Sequence, residues 1–293
     1  MTQSPGARFR ALMDKACIQV PGAFNALAAR AIARAGFPAC YVSGAATSVS
    51  AGVPDVGLLT LEHFCRVIRE VADGSGLPVL ADADTGFGEE EMVRRTVIEY
   101  SRAGAAGLHL EDQVFPKRCG HLDGKALIPV DQAVSKISWA VKAAKDLGNG
   151  FVICARTDAK GVEGFDAAID RARAYARAGA DMIFPEGLTS IDEFTRFANA
   201  MTATSPRPYL LANMTEFGKT PIIPAAQFAE IGYHCVIYPV SLLRVAMGSV
   251  TRALDALKTE GSVQSVLGDM QSRRDLYDLI GYTPGVAWEY PVR

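Results

Sequence analysis

PVLADADTGFGEEEMVRRTVIEYSRAGAAGLHLED, residues 78 to 112, decides the fold. It opens on a short β-rich run, PVLADAD (78–84), and passes into EEEMVRRTVIEYSRAG, whose apolar residues recur every three or four positions. The chain turns at Ala103, Gly104 and Ala105 and enters a second apolar run, GLHLED (107–112). Strand, amphipathic helix ending on glycine, and strand again are the parts of a parallel βαβ unit. The plan returns in FVICARTD (151–158), FDAAIDRARAYARAG and MIFPEG (182–187), with a second Ala-Gly-Ala turn at 178–180. Further out, CIQVPG (17–22), ACYVSG (39–44), YLLANM (209–214) and CVIYPV (235–240) bring the strand candidates to eight. A chain of 293 residues then fits one (β/α)8 TIM barrel, which uses roughly 250. A single domain over 1–293 is expected, with about 242–293 forming a C-terminal helical segment and the tail TPGVAWEYPVR. No Pro-, Ser- or Gln-rich linker divides it.

With 49% hydrophobic residues the chain can bury a large core, and its net charge of -2 offers no basic excess for nucleic acid or an anionic membrane. There is no apolar run of eighteen residues, and the start, MTQSPGARFRALMDKA, lacks the apolar centre of a signal peptide, so a cytoplasmic location is expected. The six cysteines form no CxxC pair and read as free thiols. TGFGEE is not a dinucleotide fingerprint, and no GxxxxGK[ST] occurs. Small-molecule chemistry is what remains.

Polar residues gather where the strands end: Ser43, Asp82, Asp84, Glu111, Asp112, Arg156, Asp158, Glu186 and Asn213. The C-terminal ends of barrel strands are where such enzymes assemble their sites. Asp82 and Asp84, two apart on one strand, share a face; two carboxylates so close call for a cation, and oxygen ligands suit Mg²⁺ or Mn²⁺. The alternative for either one is a helix cap. Arg156 could grip a substrate carboxylate through its planar fork or close an internal salt bridge, and composition does not separate the two. In KRCGHLDGK (117–125), Cys119 stands among Lys117, Arg118 and His121, whose charges favour a reactive thiol, while Gly120 and Gly124 let the loop fold over a ligand. Tyr41 lies on the second strand, and in SGAATS the backbone N–H groups of small residues could cradle a carboxylate. His63, His109 and His234 lack such a context and read as packed or solvated.

With these residues in place, the ordered motifs VPGAFNALAA, YVSG, LADADTGFG, GLHLEDQ, KRCGHLDGK, ARTDA, FPEG, NMTEFGKTP, YPVS and MQSRRDLY resemble the isocitrate lyase/phosphoenolpyruvate mutase superfamily, in particular its short-chain members of the 2-methylisocitrate lyase type. The resemblance implies a barrel whose last helix is swapped between subunits, in a dimer-of-dimers homotetramer. It implies a Mg²⁺ cofactor at Asp82 and Asp84, with Asp55 and Glu111 in a surrounding water-mediated shell. Arg156, Glu186 and Asn213 match substrate-binding and orienting positions, with Glu186 counted as catalytic beside Cys119, Tyr41 and His121; Ser43, Gly44 and Ala45 match those holding an α-keto acid end, and Gly120 and Thr215 also fall among the substrate-binding residues.

The implied substrate is a small 2-hydroxy polycarboxylate, and the implied reaction is cleavage of 2-methylisocitrate to pyruvate and succinate. Tyr41 or a metal-linked carboxylate would take the hydroxyl proton, the C–C bond would break in a retro-aldol sense, and Cys119, supported by His121, would protonate the carbanion. Cys119 in KRCGH marks the superfamily's C–C lyases and makes phosphonopyruvate hydrolase or mutase chemistry remote. Thr215 in NMTEFG favours 2-methylisocitrate over 2,3-dimethylmalate, while HLDGK looks more like isocitrate and dimethylmalate lyases. Pro239 stands where related oxaloacetate hydrolases tend to carry Ser. A non-catalytic metabolite-binding barrel is the reading from another class, and the intact set of charged residues argues against it.

Overall fold

The computed structural model describes residues 3–120 and 122–289. Eight strands form one sheet: β1 (Ile18–Pro21), β2 (Cys40–Val42), β3 (Val79–Asp82), β4 (Gly107–Glu111), β5 (Val152–Thr157), β6 (Met182–Pro185), β7 (Tyr209–Asn213) and β8 (Cys235–Tyr238). Each falls inside a run that the sequence marks as a strand. Hydrogen-bonded neighbours are parallel, in the order β1-β8-β7-β6-β5-β4-β3-β2, and the sheet closes where Gly22 bridges Tyr41 and Ala23 N donates to Tyr41 O at 2.8 Å. The expected (β/α)8 barrel is therefore the fold, and its closing seam passes through Tyr41.

Side chains alternate across each strand, so the barrel has two apolar layers. Outward residues such as Val79, Leu108, Ile153, Ile183 and Leu210 pack under the surrounding helices. Inward residues such as Val20, Leu80, Cys154, Phe184, Leu211 and Ile237 fill the interior. Glycine in the left-handed region ends or follows the helices and redirects the chain into the next strand; Gly104 and Gly179, the centres of the two Ala-Gly-Ala turns, both have φ 101°.

The helix Pro5–Met13, capped by Ser4, closes the barrel's N-terminal end by burying Phe9 and Met13 against the inner layer. Arg10 fastens it through Gly150 O, Phe151 O and a 2.7 Å ion pair with Asp181. With that end closed, polar groups converge at the other.

The C-terminal segment resolves into the helix Ser241–Glu260, a short 3-10 turn Gln264–Asp269 and a second helix, Arg273–Ile280, which lies against the helix Ala26–Arg34. The six cysteines are free thiols, and no helix among the described residues is long and apolar enough to cross a membrane.

Candidate active site

Strand parity sorts the charged residues. On β4, His109 and Glu111 point inward while Leu108, Leu110 and Asp112 point outward; on β3, Leu80 and Asp82 point inward. The parallel register then sets Asp82 beside His109 and Glu111 beside Arg156. A buried polar ring follows directly from period two and register.

One half of the ring is acidic. Asp82 accepts from Gly44 N and Asp84 N, each at 3.0 Å, and Asp84 meets the Lys117 ammonium at 2.8 Å. The same ammonium binds Asp55. Gly44 is required here, because a Cβ at that position would stand 2.6 Å from Asp82 Oδ2. Burial would raise Asp82, but His109, Lys117 and Arg156 together hold its carboxyl below the usual range. Asp84 is pushed up to about 6 by burial and then by the Asp82 charge, against the pull of Lys117. Burial alone would lower the Lys117 pKa, but Glu111, Asp84, Asp82 and Asp55 raise it, so the ammonium stays charged. Lys117, expected to act on the thiol, is thus committed to these carboxylates.

The residues fit a divalent cation with oxygen ligands. Asp55, Asp82, Asp84 and Glu111 supply carboxylates around one lysine, and both Glu111 oxygens are buried without a hydrogen-bond partner, although Arg156 Nη1 stands 3.2 Å from Oε2. Burial holds the Glu111 carboxyl well above its ordinary pKa despite Arg156 and Lys117, a cost that a nearby cation would relieve. Among the described residues no three of His, Cys, Asp or Glu converge tightly enough to cage an ion. Mg²⁺ suits such a place, since it keeps water and substrate oxygens as part of its octahedron.

The other half of the ring is built on Arg156. Its Nε and Nη2 donate to Asp158 at 2.9 and 3.1 Å, Nη1 faces Glu111, and Nη2 lies 3.6 Å from Glu186. Burial opposes this charge, and Asp158, Glu111 and Glu186 overcome it. Of the two readings of Arg156, the structure shows the internal ion network. Asn213 Nδ2 donates to Glu186 Oε2 at 3.2 Å, and Thr215, two residues further on, is buried. The Phe184 ring lies 5.2 Å beneath the guanidinium as a floor.

Gly120 seats the KRCG segment on this half, since a Cβ there would lie 2.4 Å from Arg156 Nη2 and 2.5 Å from Glu186 Cγ. Cys119, partly exposed, is the preceding residue. His121, the expected partner of the thiol, lies outside the described residues.

Tyr41 and His109 join the ring from the interior. Tyr41 Oη lies 2.6 Å from His109 Nε2, and His109 Nδ1 lies 3.6 Å from Asp82 Oδ1. Burial, with Asp82 adding to it, holds the Tyr41 phenol well above its ordinary pKa, and burial pushes the His109 imidazole down against the pull of Asp82. A protonated phenol beside a neutral imidazole donates to Nε2, which leaves the ring hydrogen on Nδ1, toward Asp82.

Some expectations are corrected. His109 is packed, as expected, but packed into the ring; the signal in the sequence was its i, i+2 relation to Glu111. Asp112 faces away and accepts from Thr157 Oγ1, Asp158 N and Tyr175 Oη at 2.7–2.9 Å, a link that ties strand ends to the outer helices. Neither Asp82 nor Asp84 is a helix cap; Glu89 occupies that position before the helix Glu90–Ala103. Ser43 does cap the helix Gly44–Ser50, accepting from Ala46 N at 3.2 Å, and the Gly44 N–H is turned onto Asp82. Ala45 packs against Ala46, Val240 and Leu243.

The family model described as Phosphoenolpyruvate phosphomutase matches residues 9–258. A Corynebacterium glutamicum protein described as probable 2-methylisocitrate lyase 2 is 52% identical over 274 residues, which make up 94% of this chain and 87% of that one. Of solved structures, 2,3-dimethylmalate lyase superposes with a TM-score of 0.88 at 37% identity, covering 96% of this chain and 92% of that chain. Phosphonopyruvate hydrolase in complex with oxalate and Mg²⁺ superposes with a TM-score of 0.84 at 28% identity, covering 95% of each.

Proposed function

The chain belongs to the phosphoenolpyruvate mutase/isocitrate lyase superfamily and is a carbon–carbon lyase, and from that premise we propose that it cleaves 2-methylisocitrate to pyruvate and succinate. The observation that carries the reading is the seating of Gly120 on Arg156 and Glu186, which brings the KRCG segment to the mouth of the polar ring. A C–C lyase that releases a carbanion needs a proton donor there, and Cys119 is that group.

Arg156 grips a substrate carboxylate, with Glu186 and Asn213 orienting it and the Thr215 hydroxyl near another. Ser43, Gly44 and Ala45 border the end that becomes pyruvate. Mg²⁺, or Mn²⁺, held at Asp82 and Asp84 with Asp55 and Glu111 around it, would supply a Lewis acid for the hydroxyl that becomes a carbonyl. That hydroxyl loses its proton to a base of the acidic half, because Tyr41 is kept protonated and gives its one O–H to His109 Nε2. The bond between the hydroxyl-bearing carbon and its neighbour breaks, the electron pair stays on the neighbour beside its carboxylate, and Cys119 protonates it to give succinate. His121 completes the thiol's surroundings in this proposal.

Purified protein with Mg²⁺ should release pyruvate from 2-methylisocitrate in preference to 2,3-dimethylmalate, oxaloacetate and phosphonopyruvate. Cys119→Ser should lower kcat by about 10²–10⁴, the usual contribution of a positioned acid or base. Preference for another substrate would refute the assignment of substrate, and full activity of Cys119→Ser would refute the role of the thiol.

We infer also that residues 1–293 act as one barrel domain and that the helix Ser241–Glu260 is swapped in a dimer-of-dimers homotetramer. Only Leu243 and Ala256 of this helix are buried, while Val245, Val250, Leu254 and Leu257 are exposed along it. Apolar exposure of that extent supports cover by another subunit.

A further inference from the structure

Two side chains hold the backbone on either side of Cys119. Before it, the buried Gln113 amide donates from Nε2 to Arg118 O at 2.8 Å and accepts at Oε1 from Arg118 N at 2.9 Å. After it, the Lys125 ammonium donates to Gly120 O and, at 2.8 Å, to Asp158 Oδ1. The Lys125 side chain is only 4% exposed and Asp158 is fully buried. Asp158 holds Arg156 through two further bonds, at 2.9 and 3.1 Å. One ammonium therefore joins the residue after the thiol to the carboxylate behind the substrate-binding arginine.

We propose that Lys125 is a positioning residue: it fixes the backbone at Cys119 against Arg156, so that the proton donor and the carboxylate fork keep one separation. The proposal deepens the lyase reading and rests on Cys119 being its acid. An ammonium has three donors on a flexible stem and can serve a carbonyl and a carboxylate at once. Both acceptors are built on parts with little play. Asp158 follows β5 and its backbone N–H donates to Asp112 Oδ1 at 2.9 Å, while Gly120 has no room for a Cβ against Arg156 Nη2. Among the described residues Lys125 is the side chain that ties Gly120 O to the barrel, whereas Asp158 without it keeps both of its bonds to Arg156. Loss should therefore fall on the chemical step more than on substrate binding, because a displacement on the order of 1 Å can cost about 10²-fold in rate.

The test uses full-length Lys125→Met and Lys125→Arg, followed by hydrogen–deuterium exchange and steady-state kinetics with Mg²⁺ and 2-methylisocitrate. For Lys125→Met, amide exchange in peptides covering Cys119 and Gly120 should rise at least about fivefold while peptides from β5 and β6 stay as in wild type. Its kcat should fall about 30- to 100-fold with KM changed less than about threefold. Lys125→Arg should recover about tenfold or more of the lost kcat, since a guanidinium keeps the charge and several donors. Unchanged exchange around Cys119 overturns the proposal, as does a loss confined to KM or an arginine variant no better than methionine. Should Lys125→Met not fold, Lys125→Gln is read by the same exchange measurement. That readout needs no substrate, so inactivity of the wild-type protein toward 2-methylisocitrate would refute the lyase reading while the exchange result still decides the role of Lys125.

Discussion

Glu111 and Asp112 are chain neighbours of like charge, and one step of strand parity sends them to opposite sides of the barrel wall. Glu111→Gln removes a costly buried charge but also its 3.2 Å ion pair with Arg156, so it should lower Tm by less than Asp112→Asn does. Its Mg²⁺-dependent activity should collapse. Asp112→Asn breaks a network that includes Arg171 and Tyr175, and should cost about 3 kcal/mol and lower Tm by about 5–10 °C, with KM nearly unchanged. Differential scanning fluorimetry with kinetics on both variants separates these fates.

Asp84 carries a pH signature at the same scale. Its carboxyl is raised to about 6 from an ordinary 3.8, so the folded state holds this proton more tightly than the unfolded chain. The stability it contributes is present below 3.8 and is lost as pH rises through 6. A divalent cation binds the deprotonated form, so the Tm gain from Mg²⁺ should be larger at pH 7.5 than at pH 5, with proton release on titration near pH 6. Equal gains at both pH values would show that Asp84 does not meet the cation.

Among the elements, the helix Pro5–Met13 works at the opposite end from the chemistry. Gly6 touches the chain before β5 so closely that a Cβ would lie 2.5 Å from the carbonyl carbon of Gly150. Gly6→Val must push the helix off that backbone and should destabilise by about 1–3 kcal/mol, as overpacking does. KM should not move, because the polar ring hangs on the far ends of the same strands. Chemical denaturation followed by fluorescence, together with KM at a temperature where the variant is folded, tests both halves. β2 is the opposite case: three residues suffice because Tyr41 both closes the seam and reaches His109.

At the scale of the whole molecule, the proposed assembly rests on the exposed apolar side chains of the helix Ser241–Glu260. Sedimentation velocity at micromolar concentration should give a tetramer, and Val250→Glu with Leu254→Glu should shift it to smaller species. A wild-type monomer at those concentrations would remove the swapped helix from the description.

Strand, helix and turn periods are local properties of the chain, so the eight strands, the Ala-Gly-Ala turns and the closed barrel could be read from the sequence. The gathering of Asp82, Asp84, Glu111, Arg156, Glu186 and Asn213 at strand ends could be read for the same reason, because in a parallel barrel every strand ends on one face. What the tertiary structure decided was partnership. Register and closure placed His109 against Tyr41, and packing committed Lys117 to Asp84 and Asp55. Lys125 reached Asp158, 33 positions along the chain. Such pairings depend on distances between segments that meet only when the barrel closes, and no spacing along the chain encodes them.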